Sequence, residues 1–254
     1  LFWLLGTWAY LRYVEQPGWR RYLPVTACML MGLLSKPVLM TFPASLLLLD
    51  YWPLARASRA VPGAWRRLVI EKLPLFALAL AFAALAIVGQ HLGGSIQSLE
   101  TAPPAQRIGI VLLNYITYLK KIFWPVHLAI VYPYYPPLPF SLSLYHLAVL
   151  GGLTYAGWRS RRALPMVWMG WLWFLLNLAP VAGFLPAGSV QFADRFVYVP
   201  GIGLAVALVW GGAELARRRP DYAAAVRAAM ALALAACALL THRQLGFWRD
   251  SLTV

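Results

Sequence analysis

Apolar stretches alternate along the chain with short polar, Arg-rich punctuation. The apolar runs cover residues 1–11, 22–34, 37–49, 73–90, 142–158, 164–181, 196–213 and 222–241. A bilayer core of about 30 Å takes about 20 helical residues, so several of these runs are short for a single crossing. The pattern predicts an all-α, polytopic membrane helical bundle of about eight membrane segments.

The pair 22–34 and 37–49 decides the topology. Read as one helix, residues 22–50 would be about 43 Å long at 1.5 Å per residue, which needs more than the usual tilt. Lys36 would then sit near the bilayer centre at a cost of roughly 3 kcal/mol, and Pro37 would remove a backbone donor. A break at Ser35-Lys36-Pro37 is the cheaper reading. Parity supports it. With run 1–11 ending inside at Arg12, run 22–34 goes out, Lys36 turns at the outer side, and run 37–49 returns to the basic residues of 56–72. Run 73–90 exits, 142–158 re-enters at Arg159, Arg161 and Arg162, 164–181 exits, 196–213 re-enters at Arg217, Arg218 and Arg219, and the last run exits.

This topology leaves residues 91–141 outside. Residues 108–123 carry Ile108, Val111, Leu112, Tyr115, Leu119 and Ile122 at helical spacing, with Asn114, Thr117, Lys120 and Lys121 elsewhere around the wheel, and predict an outer interfacial helix. Trp124, Tyr132, Tyr134 and Tyr135, interleaved with Pro125, Pro133, Pro136 and Pro137, make an aromatic, proline-stiffened stretch suited to the headgroup zone. Two readings stand: a plug that seals the bundle, or a groove through which a lipid-linked substrate enters. The membrane domain is 1–241, with 91–141 as its outer loop, and 242–254 begins a linker.

Composition agrees. The chain is 61% hydrophobic and 12% charged, against roughly 25% charged in soluble domains. The net charge of +14 would suggest nucleic acid only if the cations formed one stripe. Instead 15 of the 22 Lys and Arg fall in short clusters between apolar runs, as the cytoplasmic bias of basic loops predicts. The expected partner is a lipid bilayer and not nucleic acid. Cys28 and Cys237 both lie in apolar runs and read as small hydrophobes. His91, His127, His146 and His242 are far apart and share no ligand spacing, so no metal site is predicted. No motif calls for a cofactor, and a divalent metal requirement is left open. The chain opens at Leu1 inside an apolar run and ends in Leu-Gly-Phe-Trp-Arg-Asp-Ser-Leu-Thr-Val, which reads as a piece of a larger protein.

Few groups can carry chemistry. Glu100, Asp194 and Asp250 are the acids of the outer half. Asp50, Glu71, Glu214 and Asp221 lie at inner ends of spans, and Glu15 is in an inner loop. Nucleotide-binding glycine motifs and a nucleophile triad signature are missing. Asp194-Arg195 stands at the outer start of a span, where Arg195 suits a lipid phosphate, or where the two residues form an ion pair that caps the span. Lys36 has the same two readings, phosphate contact or snorkelling anchor. Asp50-Tyr-Trp-Pro reads as an inner-side helix stop with aromatic anchors.

Four strings resemble a known family. Leu-Leu-Ser-Lys-Pro-Val-Leu-Met-Thr-Phe-Pro from Leu33, Leu-Leu-Leu-Asp-Tyr-Trp-Pro-Leu from Leu47, Ala-Asp-Arg-Phe-Val-Tyr-Val-Pro-Gly-Ile-Gly from Ala193 and Phe-Trp-Arg-Asp-Ser from Phe247 resemble the transmembrane and tetratricopeptide-repeat O-mannosyltransferases and their bacterial relatives, in order and spacing over nearly the whole chain. The resemblance implies a GT-C-type glycosyltransferase that moves a sugar, mannose in this family, from a polyprenyl-phosphate donor to a hydroxyl of a protein acceptor on the extracytoplasmic side. It implies a multi-pass protein of a bacterial inner membrane with an extracytoplasmic C-terminus and tetratricopeptide repeats after 247–254. The acid that activates the acceptor is expected in an outward loop ahead of residues 1–13, so the catalytic base is unassigned here and the piece by itself is expected to be inactive. Arg195 and Lys36 are the implied lipid-phosphate contacts, with Asp194 orienting Arg195 or serving as a secondary acid. The family pattern commonly has an acid where His127 stands. The alternatives are a non-catalytic anchor that displays repeats, and a small-molecule transporter with a broken helix at Ser-Lys-Pro.

Overall fold

A computed structural model describes residues 1–57, 62–92, 104–126, 128, 132, 139–184 and 193–246. Among these the chain is all-helical, with no strand: α1 Phe2–Glu15, α2 Trp19–Ser35, α3 Phe42–Tyr51, α4 Ala64–Leu92, α5 Pro104–Phe123, α6 Phe140–Ser160, α7 Pro165–Leu178, α8 Tyr198–Arg218 and α9 Ala223–Gly246. Three helices are long and apolar enough to cross a membrane: α4 over Ala64–Gln90, α8 with the turn before it over Asp194–Arg218, and α9 with its leading turn over Pro220–Gly246. Pro37–Tyr51 and Pro165–Val181 are shorter apolar helices. Of the eight expected segments, three therefore have the reach to cross on their own. α6 has the length, with 21 residues, but Ser141, Ser143, Gly151, Gly152 and Thr154 dilute its apolar content.

The break at Ser35-Lys36-Pro37 is present. α2 ends at Ser35, Lys36 is extended (φ −157°, ψ 127°), and a 3-10 turn over Pro37–Thr41 leads into α3. Pro37 starts that turn, where its missing N–H costs nothing. Gly32 makes the fold-back possible, because a Cβ there would collide with the Leu39 side chain. The chain reverses at Lys36, as contacts at the far ends of the two helices require. The Tyr22 hydroxyl at the start of α2 donates to the Glu71 carbonyl at 2.8 Å, and Asp50 at the end of α3 lies 2.6 Å from Lys72. Both ends of the hairpin thus meet one level of α4, and Lys36 lies about 20 Å away along α2.

α7 and α8 extend this two-ended arrangement. The Tyr51 hydroxyl donates to the Arg161 carbonyl at 3.0 Å, just before α7. At the other end of α7, Asn177 accepts from Thr41 at 2.8 Å and Ser45 at 3.1 Å. α8 runs antiparallel to α7. Trp173 donates to the Val199 carbonyl, and Arg218 reaches the Ala163 carbonyl, each at 2.8 Å. The two backbones touch at Gly170 and Gly203, where a Cβ on Gly203 would stand 2.5 Å from the Gly170 carbonyl oxygen. Such small-residue crossings let membrane helices approach where lipid removes the hydrophobic drive.

The described basic clusters consequently gather at one end of the bundle. Arg21 bonds Gln16 and the Arg12 carbonyl between α1 and α2, and Arg66 and Arg67 open α4. Arg161 and Arg162 lie beside Arg217, Arg218 and Arg219, because Arg218 bonds Ala163. Lys36 has no part in this end, whereas Val226 beside Gly212 brings Arg227 to it.

Just inside that end lies a group of charges that pattern reading had split between a helix stop and a basic loop. Asp50 and Lys72 are both 0% exposed and 2.6 Å apart. Arg56 bonds Asp50 at 3.0 Å and Glu71 at 2.8 Å, and Lys72 reaches Glu71 at 3.0 Å. The Tyr10 hydroxyl lies 2.7 and 2.8 Å from the two Asp50 oxygens and accepts from Arg56 at 2.6 Å. Two carboxylates face two cations, so the net charge is zero and every carboxylate has donors. α3 does stop at Tyr51, yet Asp50 is more than a stop, and Lys72 is a buried partner rather than a loop cation. Removing one member leaves a charge uncompensated, typically at 3–5 kcal/mol. We expect Lys72→Met to lower unfolding stability in detergent by about 3 kcal/mol, and Asp50→Asn with Lys72→Met to cost clearly less than the two single changes added. A strictly additive pair would contradict the network.

Candidate functional site at the end opposite the basic clusters

The far end is organised by α5, which lies outside the three long spans and packs on α6, α7 and the turn before α8. Its buried positions are Val111, Asn114, Tyr115 and Tyr118, while Ile108 is 60% exposed. The buried face keeps Val111 and Tyr115 of the expected apolar set, with Leu112, Leu119 and Ile122 partly buried against the core, and is widened by Asn114 and Tyr118. The cause is polar. Asn114 donates to the Ala182 carbonyl at 2.9 Å and Tyr115 to the Leu175 carbonyl at 2.8 Å, where α7 runs out and its last carbonyls need donors. Tyr118 donates to the Ala193 carbonyl at 3.2 Å and accepts from the Ala193 N–H at 3.0 Å. Burial pushes the Tyr118 phenol up to about 12, so it stays protonated and keeps both bonds.

Ala193 is thereby fixed, and Asp194 follows it in a 3-10 turn over Asp194–Val197. The Tyr132 hydroxyl donates to the Asp194 carboxylate at 2.7 Å, Lys121 donates to the Tyr132 oxygen, and the Lys121 ammonium stands 3.8 Å from Asp194. The ammonium also lies 4.3 Å from the centre of the Tyr132 ring. Burial pulls the Lys121 ammonium below the usual lysine range, and Asp194 works against that pull.

No Asp194–Arg195 ion pair forms, and any hold of Asp194 on Arg195 runs through the turn they share. Asp194 is engaged by Lys121 and Tyr132, while Arg195 is exposed, with its guanidinium 5.2 Å from the centre of the Phe196 ring. The physical reason is the turn, which sends neighbouring side chains to different sides. Arg195 is left with no ion pair among the described residues. Lys36 is likewise exposed. It stands one 3-10 turn from Thr41, which bonds Asn177, and Arg195 stands one turn from Val199, which bonds Trp173. Both cations therefore sit at the same end of the bundle.

His127, Glu100, Asp250, Tyr134, Tyr135 and the string from Phe247 lie outside the described residues. Among the described residues no three His, Cys, Asp or Glu side chains are grouped to hold a metal ion. Pattern reading missed Lys121 and Tyr132 as partners of Asp194, since nothing in a wheel shows what a helix lies against. No protein-family model, curated protein or solved structure matches this chain.

Two outcomes are expected. Asp194→Asn removes a charge that holds the Lys121 proton, so an amine-selective acylating reagent should modify Lys121 severalfold faster at pH 8, while Arg195→Ala leaves that rate unchanged. In a background with Cys28 and Cys237 replaced, cysteines at positions 36 and 195 should react with an impermeant thiol reagent from one side of a sealed vesicle and a cysteine at 162 from the other. Labelling of 36 and 195 from opposite sides would overturn the arrangement.

Proposed function

We propose that this chain is the membrane domain of a GT-C-type glycosyltransferase that passes a sugar, mannose by the family resemblance, from a polyprenyl-phosphate donor to a protein hydroxyl. The observation that carries the reading is the placement of Lys36 and Arg195, which lie with Lys120 and Arg243 among the exposed cations at the end of the bundle opposite the basic clusters. Basic clusters favour the cytoplasmic side, so in this reading Lys36 and Arg195 face the extracytoplasmic leaflet of a bacterial inner membrane, and the bundle is one of about eight membrane segments. The strings around them are those through which the chain resembles the O-mannosyltransferases.

In this reading the two cations hold the donor phosphate. When the bond between the anomeric carbon and the phosphate oxygen breaks, that oxygen gains charge, and a cation held in place stabilises it without reorganising. A guanidinium 4 Å from a phosphate is worth on the order of 4 kcal/mol at an effective dielectric of 20. Asp194, held by Lys121 and Tyr132, positions the turn that carries Arg195 rather than taking the acceptor's proton. That proton goes to a carboxylate outside the residues assigned here, and the expected product has inverted anomeric configuration.

The test uses membranes carrying the intact parent protein, radiolabelled polyprenyl-phosphate mannose and an acceptor. Arg195→Ala is expected to lower transfer about a hundredfold and Lys36→Ala to raise the donor concentration needed. No transfer by the parent, or transfer indifferent to Arg195→Ala, would reject the proposal and leave an anchor or a transporter.

A further inference from the structure

A cavity of about 670 Å³ opens between α5, α6 and α7, away from Lys36 and Arg195. α5 roofs it with Val111, Leu112 and Tyr115, and Leu150, Trp158 and Trp168 wall it. Two of its three hydroxyls are engaged inside the protein, and the third, on the exposed Tyr155, lies at its lipid-facing rim. Tyr115 donates to the Leu175 carbonyl at 2.8 Å, while Thr154 donates to the Leu150 carbonyl at 2.7 Å and accepts from Trp171 at 3.0 Å. The lining is otherwise aliphatic and aromatic, and an apolar chain fits. From Leu147 to Trp158 the cavity follows α6 for about 16 Å, half of a 30 Å hydrocarbon core, and the exposed Leu147, Tyr155 and Trp158 leave it open to lipid along that side.

The end of this groove is charged. Trp158 leads directly into Arg159, Arg161 and Arg162, and the Arg161 guanidinium stacks 4.1 Å from the Trp158 ring centre. Arg159 and Arg162 are exposed and make no ion pair among the described residues, whereas their neighbours Arg217 and Arg218 are occupied by Glu214. An apolar slot one leaflet deep that ends at unpaired arginines matches one class of molecule. We propose that this groove holds an anionic glycerophospholipid of the leaflet at the basic end, one acyl chain beneath α5 and the phosphate at Arg159 and Arg162. The lipid enters head-down, opposite to a donor held at Lys36 and Arg195, so the proposal stands independently of sugar transfer.

The test is native mass spectrometry of the full chain in detergent, titrated with dioleoyl-phosphatidylglycerol, dioleoyl-phosphatidylcholine and undecaprenyl phosphate. Phosphatidylglycerol should bind about tenfold more tightly than phosphatidylcholine. Arg159→Gln with Arg162→Gln should abolish that preference, while Arg20→Gln with Arg21→Gln, an equal loss of charge at another cluster of the same end, should leave it. Gly151 lines the cavity and a Cβ there meets nothing within 4 Å, so Gly151→Trp should fill the groove and lower phosphatidylglycerol binding about tenfold. If that variant fails to fold, Leu147→Trp on the exposed rim serves the same purpose. The proposal is overturned if the groove-filling variant that folds binds phosphatidylglycerol normally, if the two arginine pairs behave alike, or if undecaprenyl phosphate displaces phosphatidylglycerol from the groove.

Discussion

Buried Asp50 and Lys72, with partly buried Glu71 and Arg56, gather around the Tyr10 hydroxyl and tie together distant parts of the chain. α1 contributes Tyr10, α3 contributes Asp50, the connection after it contributes Arg56, and α4 contributes Glu71 and Lys72. A charge withdrawn from water is costly unless matched, so each of these elements is held in one register by the need to match the others. Register is what such a group supplies in a bundle whose apolar faces slide past lipid and protein at similar energy. With Asp50 and Tyr22 fixed on one level of α4, the Lys36 turn has one place left to be, at the other end.

That constraint sorts the molecule into two chemically different ends. The network end carries clustered arginines, partly neutralised by Glu214, and aromatic rings such as Trp158 suited to a headgroup layer. The other end carries few charges, and those are organised. Thr41, Ser45 and Asn177 satisfy one another in the interior, α5 ties the end of α7 to Ala193, and Lys121 with Tyr132 engages Asp194. Lys36, Lys120, Arg195 and Arg243 are exposed there and make no ion pair among the described residues. An anion arriving at that end meets exposed cations without internal ion pairs, while at the network end it meets arginines beside an apolar slot. The two ends therefore suit differently oriented lipids.

Much of this was legible in the order of residues. The break at Ser35-Lys36-Pro37 follows from the cost of a mid-bilayer lysine next to a proline, and the gathering of basic clusters at one end follows from counting crossings. Less legible was the pairing of side chains. Asp50 after four leucines and Lys72 before an apolar run each look like span boundaries when read locally, and only their juxtaposition makes them partners. α5 shows the same limit from another direction. Its spacing marks Ile108, Val111, Leu112, Tyr115, Leu119 and Ile122 as one face, of which Ile108 is exposed, and the helix also turns Asn114 and Tyr118 inward because the end of α7 and Ala193 present backbone groups that need partners.

The sequence alone determined that the chain is helical and built for a membrane, where it breaks, and which clusters share a side, because these depend on hydrophobicity, proline geometry and the price of isolated charge along one strand of residues. Tertiary structure decided which charges neutralise which: that Asp194 belongs to Lys121 and Tyr132, that Arg195 is left exposed, and that Asp50 meets Lys72. Those outcomes turn on distances of a few ångströms between residues tens of positions apart, and electrostatic pairing at that range is set by packing rather than by order along the chain.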